Sequence, residues 1–165
     1  MTDFNNNLRR RFADEVYVAM KKNDRIVIVV ADFGYKIWDR VRKDFPKRFI
    51  NVGAAEQSMM GIGIGLALGG KIPLVYSITS FLLYRPFETI RNYIDREKIP
   101  VILVGSGRGN DYARDGFSHW AQEDREVMKL FKNIRASWPN SAEEVSRLVP
   151  TVLKSHVPWY INLKR

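Results

Sequence analysis

Short, unbroken apolar runs recur along this chain, and between them lie longer stretches with helical spacing. The clearest run is RIVIVVA at residues 25–31. It is rich in Val and Ile and shows no polar alternation, the mark of a strand covered on both faces. RFINV (48–52), IPLVYSI (72–78), IPVILVG (99–105), NIRASW (133–138) and PWYINL (158–163) read as five further strands. Among the intervening segments, Phe4, Leu8, Phe12, Val16 and Met20 recur at intervals of four and form one apolar stripe. Residues 35–45, 54–68, 82–98, 122–131 and 142–155 supply the other helices, with Phe87, Ile90 and Ile94 sharing a face. Ser141 reads as an N-cap, with Glu144 completing a capping box. Strands alternating with helices predict an α/β fold. The expected form is a doubly wound, mostly parallel six-stranded sheet with helices on both faces, one domain over residues 1–165.

Composition excludes several classes. The chain has 165 residues, 45% hydrophobic and 12% aromatic, enough for a packed core. No apolar run has transmembrane length, and MTDFNNNLRRRF lacks the apolar region of a secretory signal, so no membrane association is expected. With no cysteine there is neither a disulfide framework nor a thiolate metal site, and a cytoplasmic location is expected. The net charge of +9 raises nucleic-acid binding. Its carriers, among them Arg9, Arg10, Arg11, Lys21, Lys22, Lys164 and Arg165, are scattered without interleaved aromatics. They read as solvated helix faces or as a complement to an acidic partner, and nucleic acid is not expected as a ligand.

In open parallel sheets ligands sit beyond the carboxyl ends of the strands. That rule selects Asp32 and Phe33, residues 53–56, residues 79–81 and residues 106–110. Glu56 stands out. It opens a nearly apolar run, EQSMMGIGIGLALGG, in the first turn of a helix. The helix N-terminus favours an ionised carboxylate and burial favours a neutral one, which suits hydrogen bonding to a ligand ring nitrogen. The plain alternative is a first-turn acid that complements the helix dipole. Glycines 61, 63 and 65 each cost roughly 1 kcal/mol in a helix relative to alanine. Close approach of another backbone would offset that, whether from this chain or from another. GSGRGND lacks the full G-x-G-x-x-G spacing and opens no helix, so a dinucleotide site is not expected.

NVGAAEQ, SFLLYRPFE, GSGRGNDYARDGFSHWAQED and the closing strand, in this order, resemble the pyrimidine-binding domain of transketolase-type thiamine diphosphate enzymes. The resemblance runs from ADFG at residues 31–34 to the end of the chain. It implies that Glu56 hydrogen-bonds the cofactor's aminopyrimidine and promotes the tautomer whose nitrogen takes up the thiazolium proton. It places Phe81, Tyr84 and Phe87 around that ring, Phe87 also belonging to a core stripe. Asp32 corresponds to an acidic residue near the cofactor, with capping of the next helix as the alternative. Phe33 stands where an apolar residue supports the bent cofactor, with core packing as the alternative. His119 corresponds to the histidine of a THxxxED motif that contacts substrate, with Ser118 here in place of the threonine. His156 is expected on the surface.

The family holds Mg2+ and the diphosphate on another domain, through a GDG…N motif that this sequence lacks. No metal ligand is therefore expected here. The resemblance implies a split enzyme in which a diphosphate- and Mg2+-binding subunit completes the site, as a heterotetramer that also self-associates. Ketol transfer between sugars or sugar phosphates is the leading expectation. The alternatives are a 2-oxo-acid decarboxylase or carboligase and a non-catalytic regulatory module. The glycine-bearing helix is the candidate interface element.

Overall fold

The computed structural model describes residues 7–165, so Phe4 of the first apolar stripe lies outside the described residues. The described part of that stripe is borne out. Leu8, Phe12, Val16 and Met20 are buried along α1 (Leu8–Lys22), whose start is capped by the Asn7 side chain accepting from the Arg10 N–H at 3.1 Å.

All six expected strands form: β1 (Ile26–Val30), β2 (Phe49–Asn51), β3 (Ile72–Ile78), β4 (Ile102–Ser106), β5 (Arg135–Ser137) and β6 (Trp159–Leu163). Every pairing is parallel, in the order β2-β1-β3-β4-β6-β5, so the sheet is wholly and not mostly parallel. Val30, Tyr76, Val104 and Ile161 lie side by side across four strands, as do Val29, Val75, Leu103 and Tyr160. The two rows belong to opposite faces, because side chains alternate along a strand. The first row packs against α1, α2 (Asp39–Asp44) and α7 (Ala142–Leu153). The second packs against α3 (Glu56–Leu68), α4 (Thr79–Tyr84) and α6 (Asp124–Met128). Both faces are covered, which is why the strand sequences show no polar alternation.

The helices depart from the sequence expectation where backbone chemistry intervenes. The segment at 35–45 is helical only from Asp39, since Gly34 and Lys36 take left-handed conformations at φ +94° and +64°. The segment at 82–98 starts earlier, at Thr79, and breaks near Pro86, which has no N–H to continue the ladder. It resumes as the short α5 (Phe87–Thr89) and a wide π turn (Ile90–Asp95), keeping Ile90 and Ile94 buried. Ser141 caps α7 as expected, accepting from the Glu144 N–H at 3.2 Å. The Glu144 carboxylate reaches back to the N–H of Asn140, one residue before the cap.

The three helical glycines have two explanations. A Cβ on Gly63 would lie 2.8 Å from Val75 Cγ1, so this glycine lets α3 sit down on β3. A Cβ on Gly61 or Gly65 would meet nothing within 4 Å. Both lie on the exposed side of α3, together with Gln57 and Leu68.

Candidate functional site

Glu56 is the first residue of α3, just beyond the carboxyl end of β2. Gly53, at φ +73°, makes the bend, and the Ala55 N–H returns to the Gly53 carbonyl at 2.7 Å. This start has no side-chain cap, and the Glu56 carboxylate turns inward, with its side chain 2% exposed. A buried carboxylate requires compensation, because desolvation disfavours its charge. Arg85, just past the end of α4, donates to Oε2 at 2.6 Å. Ser77 on β3 donates to Oε1 at a long 3.4 Å.

The Arg85 guanidinium also lies over the Phe81 ring, 3.8 Å from its centroid, a favourable place for a delocalised cation. His119 meets the same ring edge-on at 4.8 Å. Its Nδ1 faces the Ser118 hydroxyl at 3.0 Å, and the Ser118 carbonyl accepts from Ser80 at 2.7 Å, which fastens this loop to α4. The structure therefore brings Glu56, Phe81 and His119 into one row, with Arg85 as the link that the sequence did not reveal.

Asp32 and Phe33 form a second wall, beyond β1. Asp32 is exposed at φ +46°, and its N–H donates to Asn51 Oδ1 at 3.0 Å. It opens no helix, so the capping alternative is set aside. Phe33 stacks on Tyr76 at 5.7 Å and meets Tyr112 edge-on at 6.3 Å. Tyr112 is in turn 6.3 Å from the His119 ring, which joins the two walls.

Around Phe33 lies a cleft of about 210 Å³ lined also by Arg9, Asp32, Tyr76, Tyr112 and Arg165. It opens beside β1 and β3, where the chain's direction across the sheet reverses. Arg9 donates to the Tyr112 hydroxyl at 3.2 Å and to Ser106 at 3.4 Å, while Arg165 lies over the Tyr112 ring at 4.7 Å. The solvated-face expectation thus fails for Arg9, which is half-buried. Arg9 and Ser106 are 97 residues apart, a separation that no local spacing can register. Among the described residues, the Tyr76 hydroxyl and Arg9 Nε are buried here without hydrogen-bond partners. Burial pushes the Tyr76 pKa up to about 12, against the opposing pull of Ser106 and Arg9.

Tyr84 and Phe87 take other neighbours. Burial raises the Tyr84 pKa, and the adjacent Glu123 carboxylate raises it further. Phe87 packs against Phe131 at 5.4 Å, on the α3 side of the sheet. His156 is exposed beside a groove of about 500 Å³ at the amino ends of the strands, the pole opposite Glu56.

The loop carrying His119 is anchored from below. Asp124 is 3% exposed, and its Oδ2 accepts from Trp138 Nε1 at 2.6 Å, Tyr160 at 2.9 Å and Asn162 at 2.9 Å. Arg108 holds the start of the loop, donating to the Asn162 carbonyl at 2.8 Å and to Asn140 at 2.8 Å. GSGRGND is thus an anchored loop, with Gly107 at φ +89° lying against the Tyr112 ring. Among the described residues no helix is long and apolar enough to cross a membrane, and no group of three His, Cys, Asp or Glu side chains could hold a metal ion.

Known proteins resemble this chain in sequence and fold. The chain is 31% identical over 159 residues to the 6-deoxy-6-sulfo-D-fructose transketolase subunit SqwH of Clostridium sp., covering 96% of this chain and 49% of that protein. It is 35% identical over 121 residues to an apulose-4-phosphate transketolase subunit of Actinobacillus succinogenes, covering 73% of this chain and 39% of that one. A solved split-gene transketolase, described as an inactive beta4 tetramer, superposes with a TM-score of 0.84 at 31% identity, over 96% of this chain and 51% of the other. Transketolase from Leishmania mexicana shares the fold, with a TM-score of 0.86 at 20% identity over 96% of this chain and 25% of that one. The chain spans about half the length or less of these curated relatives. The model of the transketolase pyrimidine-binding domain matches residues 6–165, and this chain belongs to that family.

Proposed function

We propose that this chain is the pyrimidine-binding part of a split, thiamine diphosphate-dependent transketolase-type enzyme that moves ketol units between sugars in the cytoplasm. The observation that carries the proposal is Glu56, a carboxylate 2% exposed at a helix start and linked through Arg85 to the face of Phe81. Among the described residues Oε1 of Glu56 has one contact, the long one from Ser77, which leaves it able to accept a shorter bond. The residues fit an aminopyrimidine, which needs a carboxylate at one ring edge and an aromatic surface against its face. Transketolase subunits among the relatives support ketol transfer over oxo-acid decarboxylation.

Thiamine diphosphate, when bound, supplies the electron sink for breaking a carbon–carbon bond next to a carbonyl. Glu56 would hold a proton between its carboxylate and the ring nitrogen. Phe81 would orient the ring, while Tyr84 and Phe87, turned to Glu123 and Phe131, would support the helices behind it. Phe33 would support the bent cofactor, and Asp32 would stand at its edge. His119, fixed by Ser118 and Phe81, would meet substrate hydroxyls. Arg9 and Arg165 in the adjoining cleft suit the phosphate of a sugar phosphate, since guanidinium groups match its geometry. A second polypeptide would hold Mg2+ and the diphosphate. The open stripe of Gln57, Gly61, Gly65 and Leu68 on α3 would dock against that partner or a second copy, in a heterotetramer.

The test is Glu56→Gln in the complex with a partner carrying a GDG…N motif. Turnover should fall by about 10²–10⁴, and calorimetry should show weaker binding of thiamine diphosphate. Near-normal turnover would sink the assignment.

A further inference from the structure

The contacts of Arg85 are those expected of the cofactor ring. Its guanidinium is flat and delocalised, carries N–H donors at its edge, and lies 3.8 Å from the Phe81 centroid. One edge donor reaches Glu56 Oε2 at 2.6 Å. An aminopyrimidine seated between the same two residues would present its face to Phe81 and, to Glu56, a ring nitrogen that shares a proton with the carboxyl group. Both groups cannot hold one carboxylate oxygen and one ring face together. We infer that Arg85 occupies the aminopyrimidine's place in the free chain and swings out when the cofactor arrives.

This inference rests on the thiamine diphosphate reading of the Glu56 site and goes beyond it, because it assigns Arg85 a role in loading. Three features support it. Glu56 is buried, and before the cofactor binds its carboxylate needs a compensating cation, which Arg85 supplies. The Arg85 side chain is 46% exposed, so it has solvent to move into. It also sits at the break between α4 and α5, just before Pro86, where the backbone ladder is interrupted. The consequence is a competition. The Glu56–Arg85 contact stabilises the free chain and must be broken on loading, so its strength is subtracted from cofactor affinity.

The experiment has two parts. In the first, the isolated chain is melted as wild type, Glu56→Gln, Arg85→Gln and the double variant. The expected result is a lower midpoint for Arg85→Gln that is recovered in the double variant; additive effects would overturn the contact. In the second, thiamine diphosphate with Mg2+ is titrated calorimetrically into the complex with the partner chain, using wild type, Arg85→Gln and Arg85→Lys. Removal of the competitor should tighten binding about five- to tenfold. Equal or weaker binding by both variants would mean that Arg85 supports the bound state, and would overturn the inference. Should Arg85→Gln fail to fold, nitrogen-15 NMR of the wild-type Arg85 side chain decides. Its guanidinium signals should be sharp in the cofactor-free complex and broaden when cofactor is added; unchanged signals would overturn the inference. A wild-type complex that binds no thiamine diphosphate overturns the parent reading too, whereas binding without release of Arg85 overturns this inference alone.

Discussion

Two carboxylates are buried to nearly the same degree, Asp124 at 3% and Glu56 at 2%, and the fold treats them in opposite ways. Asp124 is held by its own chain, one oxygen taking three donors from Trp138, Tyr160 and Asn162. Glu56 has one short bond, from a half-exposed arginine, and one long contact from a serine. Burial alone therefore does not mark a functional acid. The feature that distinguishes Glu56 is a bond to a half-exposed arginine, where Asp124 is gripped by three donors of the fold.

Mutating the two acids gives the largest effects, in different observables. Asp124→Ala would leave three donors facing a void and should lower unfolding stability by about 3–5 kcal/mol in denaturant titrations. Glu56→Gln should change stability far less and strike turnover instead. If Glu56→Gln unfolded the chain as Asp124→Ala does, the contrast between them would be lost.

Tyr76 extends the comparison to a hydroxyl. It is fully buried, has no hydrogen-bond partner among the described residues and lines the cleft, so at neutral pH Tyr76→Phe should be close to neutral in stability. At alkaline pH the two proteins should separate. The folded pKa of about 12 stands above the ordinary value of 10, so the unfolded chain loses this proton first. The share of wild-type stability linked to Tyr76 is fully present below pH 10 and is lost as the pH rises toward 12, about 2–3 kcal/mol. Tyr76→Phe should lack this share, as measured by unfolding at several pH values.

The glycines of α3 make the same comparison for backbone. Gly63→Ala forces Val75 to shift and should cost about 1–3 kcal/mol in thermal or chemical unfolding. Gly61→Ala and Gly65→Ala have open space and should each stabilise the isolated chain by about 0.5–1 kcal/mol. Size-exclusion chromatography of the same two variants would then show whether a partner needs that stripe. Undiminished assembly would remove α3 from the interface.

Much of this architecture was legible from local pattern. All six strands appear where the apolar runs stand, and Ser141 caps its helix as its spacing implied. The errors fall where backbone geometry outweighs side-chain periodicity, at Gly34 and Lys36 with positive φ and at Pro86. Glu56 was legible because it is chemically out of place in its own segment. Arg85 was not, since it is an ordinary charged residue until α4 carries it back across 29 residues to Glu56. Arg9 and Arg165 were invisible for the same reason, lying near opposite ends of the chain.

By itself the sequence determined the fold class, the strand set and the place of the buried acid. Those depend on hydrophobic burial and on the periods of helix and strand, which are written into neighbouring residues. The tertiary structure alone decided which side chains answer that acid, which glycines serve packing and which lie open, and that two distant arginines share a cleft. Such pairings follow from the crossovers of a parallel sheet, which set together residues whose separation along the chain carries no periodic signal.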